Sequence, residues 1–157
     1  MDRLKRAMEE HRCLVEDNPS LLIKNSSKVV VSIWNDKGEK ICLKQFCYPH
    51  LWDKIREHFR RSKGLKSWRA ANSMRARGFP SVKPLAFVER KSWFGLMESF
   101  LFMEVLEEDQ EMDRYILERL GDLQKKRLFT KTFARWLSFL HQKGVFHQDM
   151  KTCNVSV

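Results

Sequence analysis

The densest group of chemically capable side chains lies near the C-terminal end, in His147-Gln148-Asp149-Met150-Lys151-Thr152-Cys153-Asn154. A carboxylate, an ammonium two positions later and a side-chain amide five positions later suit one kind of work. Asp149 can orient a hydroxyl and accept its proton, and Lys151 can neutralise charge on a phosphoryl group in transfer. Asn154 can hold a magnesium ion through its amide oxygen. His147 fits better as a brace for the loop than as a reacting group.

If this group is the catalytic loop of a kinase-fold phosphotransferase, a lysine should sit earlier, on a strand that follows a hairpin turn. Lys44 meets that demand. In Lys40-Ile41-Cys42-Leu43-Lys44-Gln45-Phe46 a period of two puts Cys42 and Lys44 on one face, and Ile41 and Leu43 on the other. Lys44 is then placed to reach the α- and β-phosphates of ATP, while the small, apolar Cys42 lines the adenine site. Phe100 to Leu106, an apolar strand running into acid, fits a hinge whose backbone at Glu104 and Val105 hydrogen-bonds the adenine. The pattern His-x-Asp-x-Lys-x-x-Asn, after a helix ending Leu-His-x-x-Gly, matches the catalytic loop of kinase-fold phosphotransferases.

The elements that must position these residues follow from periodicity and punctuation. Val29 to Trp34 is β-branched and aromatic, Asn35-Asp36-Lys37-Gly38 supplies turn chemistry, and Lys40 to Phe46 alternates again, which predicts a β-hairpin. Leu51–Arg61 and Ser67–Arg77 are expected to be helices, the second stopped by Gly78-Phe79-Pro80. Val82–Val88, weakened by Pro84, and Ser99–Val105 predict two more strands. Gln124 to Gln142 carries Leu128, Phe129, Phe133, Trp136, Leu137 and Leu140 at helical spacing, with Gly144 placed to end it. Residues 1–17 are charged and allow a short helix. The fold class is α+β: a protein-kinase-like small lobe, antiparallel sheet plus helix, with the first part of a helical lobe. The expected divisions are a charged segment over 1–27, the small lobe and hinge over 28–106, and the start of the helical lobe over 107–157.

Composition narrows the partners. The 157 residues carry 30 Lys plus Arg against 20 Asp plus Glu, a net charge of +10. Twelve bases lie between Lys54 and Lys91, opposed only by Glu57 and Glu89, so this stretch alone accounts for the excess. A face of that kind attracts phosphates on a nucleotide, a nucleic acid or an anionic lipid, or else is simply solvated. Without a helix-turn-helix, zinc or aromatic-stacking signature, nucleic acid is not expected as a partner. The most apolar stretch, Trp93 to Leu106, is too short for a membrane span and holds Glu98 and Glu104. The N-terminus lacks the apolar region of a secretory signal, so a cytoplasmic location is expected. Cys13, Cys42, Cys47 and Cys153 show neither Cys-x-x-Cys nor zinc-site spacing and are expected to be reduced thiols.

Ser67-Trp68-Arg69-Ala70-Ala71-Asn72, leading to Gly78-Phe79-Pro80-Ser81-Val82-Lys83-Pro84-Leu85-Ala86, with Leu43-Lys44-Gln45-Phe46 before and Gly144-Val145-Phe146-His147-Gln148-Asp149 after, resembles the lipopolysaccharide core kinase (Kdo/WaaP) family. The likeness extends from about Val29 to Val157. It implies transfer of the ATP γ-phosphate, with Mg2+, to a Kdo or heptose hydroxyl of the lipopolysaccharide inner core. It also implies work at the cytoplasmic face of the inner membrane, peripheral to an anionic surface.

Three departures from the kinase pattern stand beside the likeness. Lys24-Asn25-Ser26-Ser27-Lys28 offers polar turn residues where a glycine-rich phosphate loop is expected. Ser67 stands before Trp68, where an acid would pair with Lys44, leaving Glu57 as a substitute. Only Val155, Ser156 and Val157 follow Asn154, so a second metal-binding acid is not among these residues, and the chain is expected to be truncated and inactive by itself. Two other readings remain open: another kinase-fold phosphotransferase acting on a protein serine or small-molecule hydroxyl, and a non-catalytic basic module that binds membrane or nucleic acid.

Overall fold

The computed structural model describes residues 2–93, 95–105 and 112–146, without the side chains at 57–59. It comprises two compact units, Met1–Val105 and Leu106–Val157. The first is built on a five-stranded antiparallel sheet of order β1-β2-β3-β5-β4: β1 Lys24–Asn25, β2 Val29–Asp36, β3 Glu39–Cys47, β4 Pro84–Ser92 and β5 Gly95–Glu104. Helix α1 spans Asp2–Asp17, α2 Leu51–Phe59 and α3 Lys63–Ala76, with a 3-10 turn over Pro19–Leu21. The architecture is the α+β, kinase-like lobe that the sequence predicts.

The predicted hairpin is β2–β3. Its two-residue turn has positive φ at Lys37 (55°) and Gly38 (89°), the twist that matches the flanking strands. Asn35 Oδ1 accepts from the Gly38 amide at 3.2 Å and supports it. β4 and β5 run longer than predicted. Pro84 opens β4, where its missing donor does least harm. The charged end Glu89-Arg90-Lys91 stays in the ladder because Arg90 lies opposite Glu98 and pairs with it at 2.7 Å. β5 begins at Gly95, with φ +129°, where a Cβ would sit 2.8 Å from the Lys54 carbonyl of α2.

Helix α3 starts four residues before the predicted Ser67. Ser62 caps it, accepting from the Leu65 amide at 3.0 Å. Gly64 lies inside the helix for a packing reason: a Cβ there would meet Ser99 Oγ at 2.5 Å and the Phe87 ring at 2.8 Å. A glycine that looks like a linker is what lets α3 seat closely on β4 and β5.

The two faces of the sheet differ. On one, Trp34, Leu43, Phe100 and Phe102 pack with Leu4, Ala7 and Met8 of α1. On the other, Phe46, Tyr48, Leu96 and Leu101 pack with Val29, Met103 and Trp68 of α3. Helix α1, part of the segment set apart in the sequence by its charge, thus enters the first unit's core. Its stripe Leu4, Ala7, Met8, His11 follows helical spacing.

His11, 2% exposed, anchors α1 through polar contacts. Gln45 Nε2 donates to Glu98 Oε2 at 2.7 Å, so its Oε1 accepts from His11 Nε2 at 3.1 Å. That leaves His11 Nδ1 to accept from the Ser32 hydroxyl at 2.6 Å, which assigns the neutral tautomer. Glu98 also accepts from Arg12 at 2.6 Å, and Trp34 donates to Glu10 at 2.8 Å. Burial pushes the His11 pKa down, and the Arg12 charge adds to this, against the Gln45 hydrogen bond and Glu98.

Because the folded value lies below the ordinary one, stability that is full above about pH 6.5 is lost as pH falls toward the folded pKa. Thermal unfolding followed from pH 7.5 to 5.0 should therefore show a decline that His11→Gln flattens. Equal slopes for the two proteins would remove His11 as the cause.

Candidate nucleotide site

β3 is the central strand of the sheet, and its alternation decides which side chains face which helix. Leu43 lies on the α1 face. Lys44 lies on the other with Phe46, the face that carries Trp68 of α3. Cys42 shares that face, directly opposite Met103 of β5, and Lys44 is opposite Leu101. The structure thus brings Cys42 and Lys44 together as the sequence pattern requires.

Lys44 is half-buried, with its Nζ 5.4 Å from the centre of the Phe46 ring. Burial lowers its pKa, the Lys24 charge lowers it further, and Cys42 opposes both. Burial raises the Cys42 thiol, with Lys44 opposing. Among the described residues Lys44 makes no ion pair. A partly desolvated cation without a carboxylate is an unfavourable arrangement that an anionic ligand relieves.

Among the described residues, the lack of a carboxylate at Lys44 has a source in the composition of α3. Helix α3, which crosses this face, reads Lys-Gly-Leu-Lys-Ser-Trp-Arg-Ala-Ala-Asn-Ser-Met-Arg-Ala and contains no acid at all. Ser67 is not an isolated exception within it. The side chain of Glu57, the possible substitute, lies outside the described residues.

At the hinge, β5 ends at Glu104. Its amide donates to the Lys83 carbonyl at 3.0 Å, and its Oε1 accepts from the Lys83 amide at 2.7 Å. Arg75 of α3 approaches the same carboxylate at 3.9 Å. The Glu104 N–H and carboxylate are therefore both engaged within the lobe.

Lys24 was not singled out by sequence. In the sequence the 24–28 stretch reads only as a polar turn without glycine, and the register alone shows where the lysine falls. Lys24 is opposite Val31, and Val31 is opposite Lys44. The three residues form one row across β1, β2 and β3, with side chains on one face.

The second unit contains α4 Met112–Arg119, not predicted, and α5 Leu123–Gln142, one residue longer than predicted. Asp122 caps α5, accepting from the Lys125 amide at 2.7 Å, and that hydrogen bond lowers its pKa. Phe129, Phe133 and Trp136 stack in series with ring centres 6.4 and 5.6 Å apart, and Tyr115 meets Phe129 in a tilted pair at 5.6 Å. Gly144, with φ +71°, ends the helix as predicted. His147, Asp149, Lys151 and Asn154 lie outside the described residues.

An antiparallel five-stranded sheet with a helix across one face, and a lysine half-buried beneath it on the central strand, defines a protein-kinase-like lobe. The family model described as the lipopolysaccharide kinase (Kdo/WaaP) family matches residues 26–157, and the chain belongs to that family of kinase-type phosphotransferases. No individual curated protein matches the chain.

A residue kept for a ligand rather than for the fold has a measurable signature. Lys44→Met should leave unfolding free energy unchanged or raise it by about 1 kcal/mol, because a buried cation gives way to an apolar chain of similar length. ATP binding, followed by titration on the same protein, should weaken. A stability loss above about 2 kcal/mol would show that Lys44 has a structural counter-ion.

Proposed function

We propose that this chain supplies the nucleotide-binding lobe and the catalytic loop of a kinase that transfers the γ-phosphoryl group of ATP to a sugar hydroxyl, Kdo or heptose, of the lipopolysaccharide inner core. The observation that carries the reading is Lys44, a half-buried cation without an ion pair among the described residues, on the central strand of a family member's kinase-like lobe. In this reading Lys44 holds the α- and β-phosphates, Cys42 lines the adenine site, and the backbone at Glu104 and Val105 meets the adenine edge. Asn154 would hold Mg2+, which supplies charge neutralisation between the β- and γ-phosphates. Asp149 accepts the proton of the sugar hydroxyl as it attacks, and Lys151 steadies the charge on the moving phosphoryl group.

The acceptor class places the chain at an anionic membrane surface on the cytoplasmic side. Support comes from exposed Arg60, Arg61, Lys66 and Arg69 around the start of α3. Other bases of the stretch are engaged within the fold: Arg56 with Asp53, Arg90 with Glu98, and Lys91 with Glu89. Among the described residues no helix is long and apolar enough to cross a membrane.

Asp149→Asn in the intact protein should leave ATP affinity near that of the wild type, since the amide occupies the same space. Turnover on lipopolysaccharide acceptor should drop by about 10²- to 10⁴-fold, because the amide cannot take the proton. Near-normal turnover would remove Asp149 from the role of base.

A further inference from the structure

A nucleotide site on this lobe has to balance the charge of a polyphosphate, and a glycine-rich loop does so with backbone N–H groups. The turn between β1 and β2 has little to offer in that currency. The Ser26 amide donates to the Val29 carbonyl at 3.0 Å, and the Val29 amide donates to Ser26 Oγ at 3.1 Å. Ser26 Oγ itself donates to the Val29 carbonyl at 2.8 Å. The polar groups of Ser26 and the backbone of Val29 are thus engaged in closing the turn. Among the described residues the only non-glycine with positive φ is Lys37, so residues 26–28 do not form the alternating-hand nest that gathers N–H groups around an anion.

Side-chain charge stands in the same place instead. Lys24 and Lys44 flank Val31 in one cross-strand row and face the same way, two interstrand spacings or about 10 Å apart at the backbone. Lys24 is exposed, and among the described residues neither lysine makes an ion pair. Two like charges on one face, close enough for one to depress the other's pKa, oppose each other until an anion lies between them.

We propose that Lys24 is a second phosphate-binding residue of the nucleotide site, supplying from the β1 edge the positive charge that a glycine-rich loop would supply through its amides. This deepens the nucleotide reading of Lys44 and rests on it. The triphosphate lies across β1–β3, with Lys44 at the buried end and Lys24 at the open end. The two cations are not equivalent: Lys44 is fixed by burial, whereas Lys24 is held only through its short strand. Lys24 therefore contributes to affinity for the phosphates and nothing to recognition of the base.

The test is titration of the whole chain with MgATP and, separately, with adenosine, for wild type, Lys24→Gln and Lys24→Arg. Lys24→Gln should weaken MgATP about tenfold, leave adenosine within twofold, and keep the wild-type melting temperature. Lys24→Arg should restore most of the MgATP affinity. MgATP affinity within twofold of wild type in Lys24→Gln, beside a large loss in Lys44→Met, would overturn the role of Lys24 and leave the nucleotide site intact. Wild-type protein that binds neither ligand, or binds MgATP no better than adenosine, would overturn both.

Discussion

A lysine on the central strand of a sheet, desolvated and without an ion pair among the described residues, is the feature around which the first unit is arranged. Lys44 sits where an apolar residue would pack better: Leu101 lies opposite it on one side, Val31 on the other, and Phe46 lies beneath its ammonium. The strand can hold it because the neighbouring position, Leu43, is fully buried on the opposite face. A slip of one residue would send Leu43 to the α3 side and the lysine into the α1 core, so the register of β3 protects the site and the core together.

The opposite face shows how this chain treats polar groups that have no ligand to wait for. The buried His11, Ser32 and Glu98 are linked through Gln45 in one hydrogen-bonded network, which Arg12 and Arg90 join from the solvent side. The contrast across a single sheet is informative. The polar residues of the α1 face have partners, whereas among the described residues Lys44 on the other face has no ion pair. Helix α3 sharpens the point: it seats tightly through Gly64 and Trp68 yet brings no acid to the face it covers.

Much of this was legible in the sequence where local chemistry decides structure. The β2–β3 hairpin follows from Asn35-Asp36-Lys37-Gly38, and the shared face of Cys42 and Lys44 follows from a period of two. Gly144 ends α5 where punctuation says it should. Elements set by tertiary partners were harder to see. Gly64 resembled a linker because its reason lies on Ser99 and Phe87, distant in sequence. Arg90 resembled a loop residue because its partner Glu98 lies across the hairpin. The N-terminal helix read only as a charged segment because its apolar stripe is narrow and its buried histidine polar. Helix α4 was hidden in a run of acids. Lys24 was invisible for a different reason: its value depends on cross-strand register, which no spacing along the chain reports. Of the catalytic loop, the sequence pattern and the family membership carry the argument, since Asp149, Lys151 and Asn154 lie outside the described residues.

The central claim is that Lys44 holds nucleotide phosphates, and chemistry at its own amine tests it most directly. An ATP derivative carrying an acyl group on its terminal phosphate transfers that group to a lysine lying against the phosphates, and peptide mass spectrometry identifies which lysine is acylated. The account predicts that Lys44 is the principal modified residue and that MgATP in excess prevents the modification. It also predicts that a burial-lowered amine keeps reacting at pH values where exposed lysines are protonated and slow. Acylation spread over exposed lysines, with Lys44 unmodified and no protection by MgATP, would contradict the claim.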